Sequence, residues 1–506
     1  MDYAIAVIDI GMTNKKVAVY DEHLLQIDAA YKEFAPVLLN DPETGQEMKV
    51  HDLQSMESWF TEQLRTYAEK YPIRAISVTT HGATFVCVDR NGAVCAPCIF
   101  YTYDPGKQFQ DDFYARCGSK EELQRRTFTP PFSAMLNLAK GIRFLQVRFH
   151  EAFSRTAVIL GFPQYWGFRL TGRTAYETTY EACHTYLWDM NGNTWSSVVD
   201  RLGIRSKMPR NFNPTCGVLG TLTPETAAKL GLNTSVIVTT GIHDSNASLL
   251  PYLAENTTED FILNSTGTWC VCMHPKEQAE FDEEDIGKIV FFNRSAVDKP
   301  VKTAVFPGGM EIDTYVKLYQ RECGTDGFPA SDSDAAQSLI TERNVFIVPE
   351  VVPGSGQFPE SKPGIFENGR FYPLEAIQKG VSVPEILSDR KRFFAALDLS
   401  LIIQTETALR RTGLKKGISV FIEGGFRRNR LYTLLLSALL KENEIYLTNM
   451  KEATAAGCAM TALMALTGKT HTELAPLLTI EKESVPKTDI SGLAEYKAVW
   501  IEHTQE

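Results

Sequence analysis

The N-terminal part of the chain alternates apolar runs with segments of helical periodicity. The apolar, β-branched run Ala4–Ile10 is followed after a short polar turn by the run Val17–Tyr20, which predicts two strands joined by a tight turn. Apolar residues then recur at helical spacing from Leu53 to Tyr67, which predicts an amphipathic helix. Strand character returns at residues 75–80 and 85–88. This alternation of strands and helices indicates an α/β core.

A second cycle of predicted elements begins near residue 236. Residues 236–240 have the character of a strand. Residues 245–250 predict a short helix that ends before Pro251, because proline lacks the N–H that continues a helix. Two further strands, at 261–264 and 269–273, flank a polar turn. Strand, turn and strand therefore occur twice in the chain, which indicates two related halves.

No low-complexity segment or linker separates these halves. The Pro- and Gly-rich stretch 348–364 predicts an ordered loop inside the second half. We therefore expect the two halves to pack together with a cleft between them.

Length and charge narrow the range of functions. The 506 residues suffice for two or three domains, and 44% hydrophobic and 22% charged residues are typical of a globular protein. Lys and Arg number 51 and Asp and Glu number 62, so the net charge is −11. Because an acidic chain has no net attraction for polyphosphate, this charge disfavours nucleic acid and anionic membranes as partners. A local site can still bind one anionic ligand.

Targeting segments and metal motifs are not evident in the sequence. No apolar run approaches the roughly 18 residues of a membrane span, and the start lacks the basic segment of a signal peptide. The ten cysteines are scattered, which is typical of reduced thiols in a cytoplasmic protein. Cys95 and Cys98 form the one CxxC pair, and no second pair or His spacing supports zinc. We interpret both as core thiols that flank a turn.

The first segment that could carry chemistry is Asp9-Ile-Gly-Met-Thr-Asn-Lys-Lys16, at the first strand–turn–strand. Gly11 permits a tight turn, Thr13 and Asn14 supply donors, and turn amides can bind anionic oxygens. Asp9 at a strand end could hold Mg²⁺ through water, and Lys16 is a cation near the turn. The alternative is an ordinary hairpin with an exposed lysine pair.

A second polar turn, Ser265-Thr-Gly-Thr268, lies between two strands of the second half. Its hydroxyls and amides could bind a second phosphate, and the alternative is again a plain hairpin. Neither turn is a P-loop or a Rossmann motif, since GxxxxGK[ST] and GxGxxG are absent. Two such turns in one chain favour a phosphate ligand more than one does.

Paired glycines follow an apolar strand at Phe421-Ile-Glu-Gly-Gly425, and a helical segment follows at 427–440. Paired glycines after a strand permit close approach by a flat ligand or by another backbone. Glu452-Ala-Thr-Ala-Ala-Gly457 opens a further helix with a small-residue face, for which helix packing is the simpler interpretation.

The segment Gly241-Ile-His-Asp244 precedes the short helix at 245–250. A carboxylate there can accept a proton from a hydroxyl group within hydrogen-bond reach, so Asp244 is a candidate base. Because Asp is also a favoured N-cap, a purely structural role is the alternative.

In their order and spacing, these segments resemble the FGGY carbohydrate kinases of the actin–hexokinase–Hsp70 superfamily, over residues 4 to about 470. The resemblance implies two ribonuclease-H-like (actin-like ATPase) α/β domains with a catalytic cleft between them. A sugar-binding domain with the first phosphate loop would span residues 1–245, and an ATP-binding domain residues 246–506. ATP and Mg²⁺ are the implied cofactors and a small sugar is the implied substrate, with a homodimer as one option for the assembly.

The resemblance also assigns roles to single residues. Asp244 matches the catalytic base, and Asp9 and Asp244 would bind Mg²⁺. Lys16 stands where many members of the family carry Arg. The implied nucleotide-binding residues are Gly11, Thr13, Asn14, Lys16, Gly267, Thr268, Gly424, Gly425 and Asn429.

Within the family, the segment Val78–Asp89 is similar to the sugar-contacting run of rhamnulokinases and fuculokinases, and His243-Asp244-Ser245 is similar to their H-D-T. In this run His81 stands at the aromatic position and Thr84 at the acidic one. A missing carboxylate removes an acceptor for sugar hydroxyls, so the identity of the sugar stays open. The implied sugar contacts are His81, Thr84, Asp104 and His243.

The implied reaction is transfer of the ATP γ-phosphate to a hydroxyl of a ketose, with a 6-deoxyketose such as L-rhamnulose or L-fuculose as one candidate. A pentulose (xylulose or ribulose) or a polyol is the alternative substrate. Two other classes are an ATPase or chaperone of the same superfamily and a sugar or nucleotide sensor that retains the fold without catalysis. A DNA-binding regulator would need an added helix-turn-helix or basic arm, and none precedes Ala4.

Overall fold

The computed structural model describes residues 1–256, 259–324, 332–450 and 452–505. Within these ranges the chain forms two α/β halves, each built around one large mixed sheet. The predicted α/β fold with two domains is confirmed. No helix among the described residues is both long and apolar enough to span a bilayer.

The first half is built from short strands and helices that alternate along the chain. Its strands are β1 (Ala4–Ile10), β2 (Asn14–Asp21), β3 (Gln26–Glu33), β4 (Val37–Asn40), β5 (Glu47–Val50), β6 (Ile73–Thr80), β7 (Phe85–Val88), β8 (Val158–Gly161), β9 (Trp188–Asp189), β10 (Thr194–Trp195), β11 (Val218–Thr221), β12 (Ile237–Thr239) and β13 (Ile242–His243). Its helices are α1 (Leu53–Ala68), α2 (Lys107–Cys117), α3 (Lys120–Thr127), α4 (Leu138–Arg148), α5 (His150–Ser154), α6 (Phe162–Thr171), α7 (Thr178–Glu181), α8 (Ser197–Arg201), α9 (Pro224–Leu230) and α10 (Asp244–Glu255).

The second half continues the same alternation. Its strands are β14 (Phe261–Thr266), β15 (Cys270–Pro275), β16 (Val290–Arg294), β17 (Pro300–Phe306), β18 (Val345–Val348), β19 (Gly364–Glu367), β20 (Arg370–Pro373), β21 (Ser419–Gly424), β22 (Ile445–Thr448) and β23 (Lys482–Ser484). Its helices are α11 (Gly308–Cys323), α12 (Ser333–Glu342), α13 (Leu374–Gln378), α14 (Arg390–Arg411), α15 (Arg430–Leu439), α16 (Ala453–Thr467), α17 (His471–Leu474) and α18 (Leu493–His503).

The two large sheets share one topology. The first has the strand order β3-β2-β1-β6-β12-β11, with β13 also paired to β6. The second has the matching order β17-β15-β14-β21-β22-β23, with one further strand, β16, paired to β17 at the edge. In each, three antiparallel strands lead into two parallel pairings, and the sheet ends in an antiparallel edge strand. The two related halves inferred from the repeated strand–turn–strand are thus visible in the strand order.

Helices α10 and α16 join the halves. Their small residues pack on one face of the first sheet, in an apolar cluster that includes Ile5, Val7, Ala247 and Ala459. The hydroxyl of Thr461 on α16 lies 3.0 Å from the hydroxyl of Ser77 on β6. The predicted division at residue 245 therefore falls in the first turn of a helix that belongs to this junction.

The prediction that this helix ends before Pro251 is wrong, because α10 continues to Glu255 with the proline inside it. Pro251 has no N–H to offer the carbonyl of Ala247, one helical turn earlier. Gly457 of α16 packs directly against that carbonyl, since a Cβ at this glycine would lie 1.8 Å from the Ala247 oxygen. The close packing of α16, which the sequence does not reveal, accommodates the interrupted helix.

Candidate active site

A cavity of about 300 Å³ lies between the two halves, and both contribute to its walls. Among the described residues, the first half supplies mainly turn and loop residues that follow its strands, and the second half supplies residues of β14 to β17, the turn between β14 and β15, and Thr454 of α16. The lining includes Gly11, Met12, His81, Gly82, Tyr101, Phe132, Leu136, Cys183, His184, His243, Asp244, Ser245, Gly267, Thr268, Trp269, Phe291 and Asn293.

The turn between β1 and β2 forms one edge of the cleft. The amide of Gly11 donates to the Asn14 carbonyl at 3.1 Å, which closes the turn. Thr13 and Asn14 are exposed at its tip, so their donors are free to meet a ligand. The expected alternative of an exposed lysine pair is wrong, because Lys15 and Lys16 are both buried.

Lys16 faces Asp9 across the strand pair and bonds to Glu452 at the start of α16. Its Nζ lies 2.8 Å from a Glu452 carboxylate oxygen, and the hydroxyl of Tyr31 donates to the other oxygen at 3.1 Å. This ion pair links the β1–β2 hairpin to the second half. It also shows that the cation near the turn is already partly neutralised.

Asp244 is close enough to Asp9 to raise the pKa of the Asp9 carboxyl. Burial raises the pKa of the Asp9 carboxyl to about 7; Lys16 opposes this rise, while Asp244 and Glu452 add to it. Burial also raises the pKa of Asp244 to about 6, against hydrogen bonds from Ser245 that lower it. Two partly buried carboxylates, Asp244 in the lining of the cleft and Asp9 two residues before the lining residue Gly11, form a donor set suited to Mg²⁺.

We expect Asp9→Asn to stabilise the protein in the absence of ligands, and more at pH 8 than at pH 5. A carboxyl whose folded pKa is raised supports folding when protonated, and this support is lost as pH rises from about 4 to about 7. The neutral amide avoids that loss, so the melting temperature at pH 8 should rise by about 2 °C or more. Thermal melts at both pH values check this, with the exposed Asp104→Asn as control. A lower melting temperature at pH 8 would contradict it.

Asp244 stands at the first residue of α10, directly after β13. The amide of Ser245 donates to its carboxylate at 2.6 Å, and the Ser245 hydroxyl donates at 3.2 Å. The N-cap of the helix is His243, whose Nδ1 accepts from the amide of Ser245 at 3.2 Å. The N-cap role, which was the structural alternative for Asp244, therefore belongs to His243. The Asp244 side chain lines the cleft.

The turn between β14 and β15 forms the opposite edge. The amide of Gly267 donates to the Trp269 carbonyl at 3.0 Å, and the amide of Met310 donates to the Thr268 carbonyl at 3.3 Å. The second bond brings the start of α11 against the turn, and Gly309 sits so close that a Cβ there would lie 2.2 Å from the Gly267 oxygen. Pro-Gly-Gly at 307–309, directly after an apolar run, is the sequence signal for this contact.

The paired glycines lie beside this second turn. Thr266 pairs with Gly424 in the parallel ladder, and the Thr266 hydroxyl accepts from the amide of Phe426 at 3.1 Å. Gly424 and Gly425 are exposed at the end of β21. Asn429 caps α15 through Tyr432 and donates to the buried Asp398 at 2.6 Å. The paired glycines and the β14–β15 turn thus form one continuous surface.

Of the implied sugar contacts His81 and Thr84, the structure places His81 at the cleft wall and Thr84 outside the lining. His81 lines the cleft, but its Nδ1 bonds to the Ile10 carbonyl and its Nε2 to the Thr84 hydroxyl, both at 3.0 Å. Thr84 is 1% exposed and lies behind the imidazole, outside the lining. Thr84 therefore orients His81, and the hydroxyl that the resemblance assigned to the sugar is used inside the protein.

The implied contact of Asp104 is also corrected by its position. Tyr101, in the same segment, lines the cleft, whereas Asp104 lines a neighbouring cavity of about 680 Å³. Its carboxylate is exposed and accepts from the amide of Gly106 at 3.0 Å. The chain turns away from the cleft between these two residues. His243, by contrast, lies in the cleft as expected.

Two further residues of the cleft, Cys183 and His184, were not found from the sequence. They follow α7 in a loop where His184 has φ 44°, a left-handed conformation that few non-glycine residues adopt. The Nδ1 of His184 bonds to the Leu136 carbonyl at 2.9 Å, which fixes the ring. No periodicity or motif marks such a loop, so only the fold brings these side chains to the cleft.

The cleft is nearly free of cationic groups. Its described lining contains no Lys or Arg, and Asp244 is its one carboxylate. Burial lowers the pKa of His81 and His184 to about 3 and that of His243 to about 4, so these rings are neutral at physiological pH. Aromatic and aliphatic side chains form much of the remaining wall.

Two models of known protein families together match nearly the whole chain. The model described as the N-terminal domain of the FGGY family of carbohydrate kinases matches residues 4–251, and the model for the FGGY C-terminal domain matches residues 258–471. A rhamnulokinase from Oceanobacillus iheyensis is 26% identical over 198 residues, which are 38% of this chain and 40% of that protein.

Solved structures with the same fold extend over the full chain. A carbohydrate kinase from Novosphingobium aromaticivorans is 24% identical, with a TM-score of 0.73 over 99% of this chain and 100% of that one. A gluconate kinase from Lactobacillus acidophilus is 18% identical, with a TM-score of 0.78 over 99% of this chain and 97% of that one. At this level of identity the likeness shows the fold.

Proposed function

The chain belongs to the FGGY family of carbohydrate kinases, and from this premise we propose that it transfers the γ-phosphate of ATP to a hydroxyl of an uncharged ketose. The observation that supports this proposal most is the meeting of two glycine–threonine turns and Asp244 in one cleft, with one turn from each half. Such a cleft can hold a nucleotide on one side and a sugar on the other.

The phosphates would lie between the two turns. Thr13 and Asn14 would donate from the first turn and Thr268 from the second, where Gly267, whose amide is bonded to the Trp269 carbonyl, would leave room for the phosphate. The exposed Gly424 and Gly425 would face the adenosine, and Asn429 would hold that turn in place. Phosphoryl transfer depends mainly on positioning and on neutralising charge, which these groups supply.

Asp9 and Asp244 fit a magnesium ion. Both carboxylates are partly buried, burial raises the pKa of each, and Asp244 adds to the rise at Asp9, so a bound cation would offset negative charge that water solvates poorly here. When bound, Mg²⁺ offsets the charge of the β- and γ-phosphates. Asp244 would orient the attacking sugar hydroxyl and accept its proton. The hydrogen bonds from Ser245 fix its carboxylate at the start of α10.

We expect Glu452→Gln to tighten ATP binding, because Glu452 competes with phosphate for Lys16. Since such a partly exposed ion pair contributes less than about 1 kcal/mol, the expected fall in KM for ATP is about threefold. Steady-state kinetics measure this. Tyr31→Phe removes only the second contact to Glu452 and serves as the matched control, with a smaller change expected. An unchanged or higher KM in Glu452→Gln would argue against contact between Lys16 and phosphate.

The lining favours an uncharged sugar with an apolar end. Gluconate, the substrate named for one structural neighbour, carries a carboxylate, and the described lining offers no cationic side chain to meet it. Phe132, Leu136 and Phe291 could contact the methyl group of a 6-deoxyketose such as L-rhamnulose or L-fuculose. A pentulose or a polyol is the alternative. The free cysteines support a reducing compartment, the cytoplasm, as the place of action.

A coupled assay of ADP release tests the proposal. The panel comprises L-rhamnulose, L-fuculose, both xyluloses, both ribuloses, common polyols and gluconate, each against a blank without sugar. We expect one neutral ketose to stimulate ADP release far above the blank. Activity with a pentulose or polyol alone would remove the deoxyketose assignment and keep the kinase. ADP release independent of every sugar would contradict the proposed function.

A further inference from the structure

Three donor groups meet at the wall of the cleft. The Sγ of Cys183 and one ring nitrogen each of His184 and His243 all lie within 4.8 Å of one another. They come from two separate segments, the loop after α7 and the strand β13. Adjacent side chains normally diverge, and the left-handed backbone at His184 lets it share the cleft wall with Cys183.

Each histidine of this cluster has a ring nitrogen, Nε2, that could act as a donor atom for a metal ion. The Nε2 of His243 is buried and has no hydrogen-bond partner among the described residues. His184 uses its Nδ1 on the Leu136 carbonyl, which leaves the lone pair of its Nε2 toward the cleft. This is the arrangement that orients imidazoles bound to metals in proteins.

The tautomer of His243 is compatible with the same role. Its Nδ1 lies 3.2 Å from the Asp244 carboxylate. The Ser245 amide lies 3.2 Å from the same Nδ1 and 2.6 Å from the Asp244 carboxylate. When Nδ1 carries the proton it donates to Asp244, and the Ser245 amide keeps its shorter bond to that carboxylate in place of its bond to the ring. The Nε2 lone pair then points into the cluster.

Gly82 keeps the space between the two rings open. A Cβ at this position would lie 2.6 Å from Nε2 of His243 and 2.8 Å from Nε2 of His184. Any other residue would therefore fill the gap that both nitrogens face. The side-chain amide of Asn293 approaches the Sγ of Cys183 at 4.0 Å and could support a thiolate there.

We propose that Cys183, His184 and His243 bind a thiophilic divalent metal ion such as Zn²⁺, and that the bound ion competes with the sugar for the cleft. One thiolate, two imidazoles and an open position toward the cleft are a donor set of zinc. Bonds of about 2.0 to 2.3 Å require the donor atoms to close by roughly 1 Å. On binding, the Cys183 thiol releases its proton to the buffer. The competition rests on the proposed function, whereas the metal binding does not.

Cobalt(II) titration of the full-length protein without nucleotide tests the site. We expect a thiolate-to-cobalt charge-transfer absorption that saturates at about one ion per chain and disappears when Zn²⁺ is added. Cys183→Ser should lose this absorption. His184→Asn, whose amide can keep the bond to the Leu136 carbonyl, should weaken Co²⁺ binding about tenfold or more. Cys323→Ser, a half-buried thiol at the end of α11, is the matched control and should behave like the wild type.

Several results would overturn the proposal. Absence of the absorption in the wild type, its persistence in Cys183→Ser, or unchanged affinity in His184→Asn would each exclude this metal site. Thermal melts of both variants confirm that they are folded. A saturating sugar that is phosphorylated in the ADP assay should displace Co²⁺, and an unchanged absorption would refute the competition. If no sugar is phosphorylated while the cobalt absorption is present, the proposed function fails and the metal site stands.

Discussion

Replacing Asp244 by Asn is expected to reduce kcat by about a thousandfold or more, while the Kd for ATP stays within about twofold. The amide keeps the size of the side chain but cannot accept the proton of the sugar hydroxyl, and proton acceptance contributes about 10²–10⁴-fold to such reactions. Loss of the charge beside Asp9 removes part of the magnesium donor set as well. Initial rates and nucleotide titration calorimetry separate the two effects.

Asp104→Asn is the matched control for this variant. It makes the same chemical change in the same half, but Asp104 is exposed and lies outside the cleft. We expect its kcat and sugar KM to equal those of the wild type. Substantial turnover in Asp244→Asn would remove Asp244 as the base. A large loss in Asp104→Asn would instead restore the sugar contact that the sequence suggested.

Gly425→Leu is expected to raise the KM for ATP at least about tenfold without lowering the melting temperature. A Cβ at Gly425 meets no atom closer than the Thr266 oxygen at 3.9 Å, and the residue is exposed, so the fold tolerates a side chain here. The leucine would then project from the turn where we place the adenosine. Steady-state kinetics and thermal melts measure the two quantities.

Gly424→Ala is the contrasting variant at the neighbouring position. Gly424 has φ 85°, and a Cβ there would lie 2.0 Å from the Thr266 oxygen, so even a methyl group strains the backbone. We expect this variant to lose a few kcal/mol of stability and several degrees of melting temperature. A Gly425→Leu enzyme with wild-type KM would show that the paired glycines serve packing alone.

Much of the sheet framework could be predicted because it depends on local pattern. The apolar, β-branched runs predicted as strands in both halves are strands in the structure, with β1 and β7 at the predicted bounds. The two glycine–threonine turns and the Gly-Gly turn were found because each follows an apolar strand directly. Their meeting in one cleft follows from the matching topology of the sheets.

Tertiary contacts explain why some predictions from the sequence were wrong or missing. Pro251 ends helices as a local rule, yet packing against Gly457 keeps α10 intact around it. The resemblance placed Thr84 at a sugar-contacting position of the family motif. In the structure its hydroxyl is hydrogen-bonded to the imidazole of His81 instead. His184 carried no local signal at all, because its place at the cleft depends on the left-handed backbone of its loop and on the bond of its ring to the Leu136 carbonyl.

The most direct test of the central claim is phosphorus NMR of a reaction with ATP, Mg²⁺ and the best sugar of the panel. We predict that the γ-phosphate signal of ATP is replaced, mole for mole, by a sugar phosphate ester and ADP, and that Asp244→Asn gives neither product at a comparable rate. Release of inorganic phosphate without an ester, at a rate that the sugar does not change, would contradict the account and identify an ATPase.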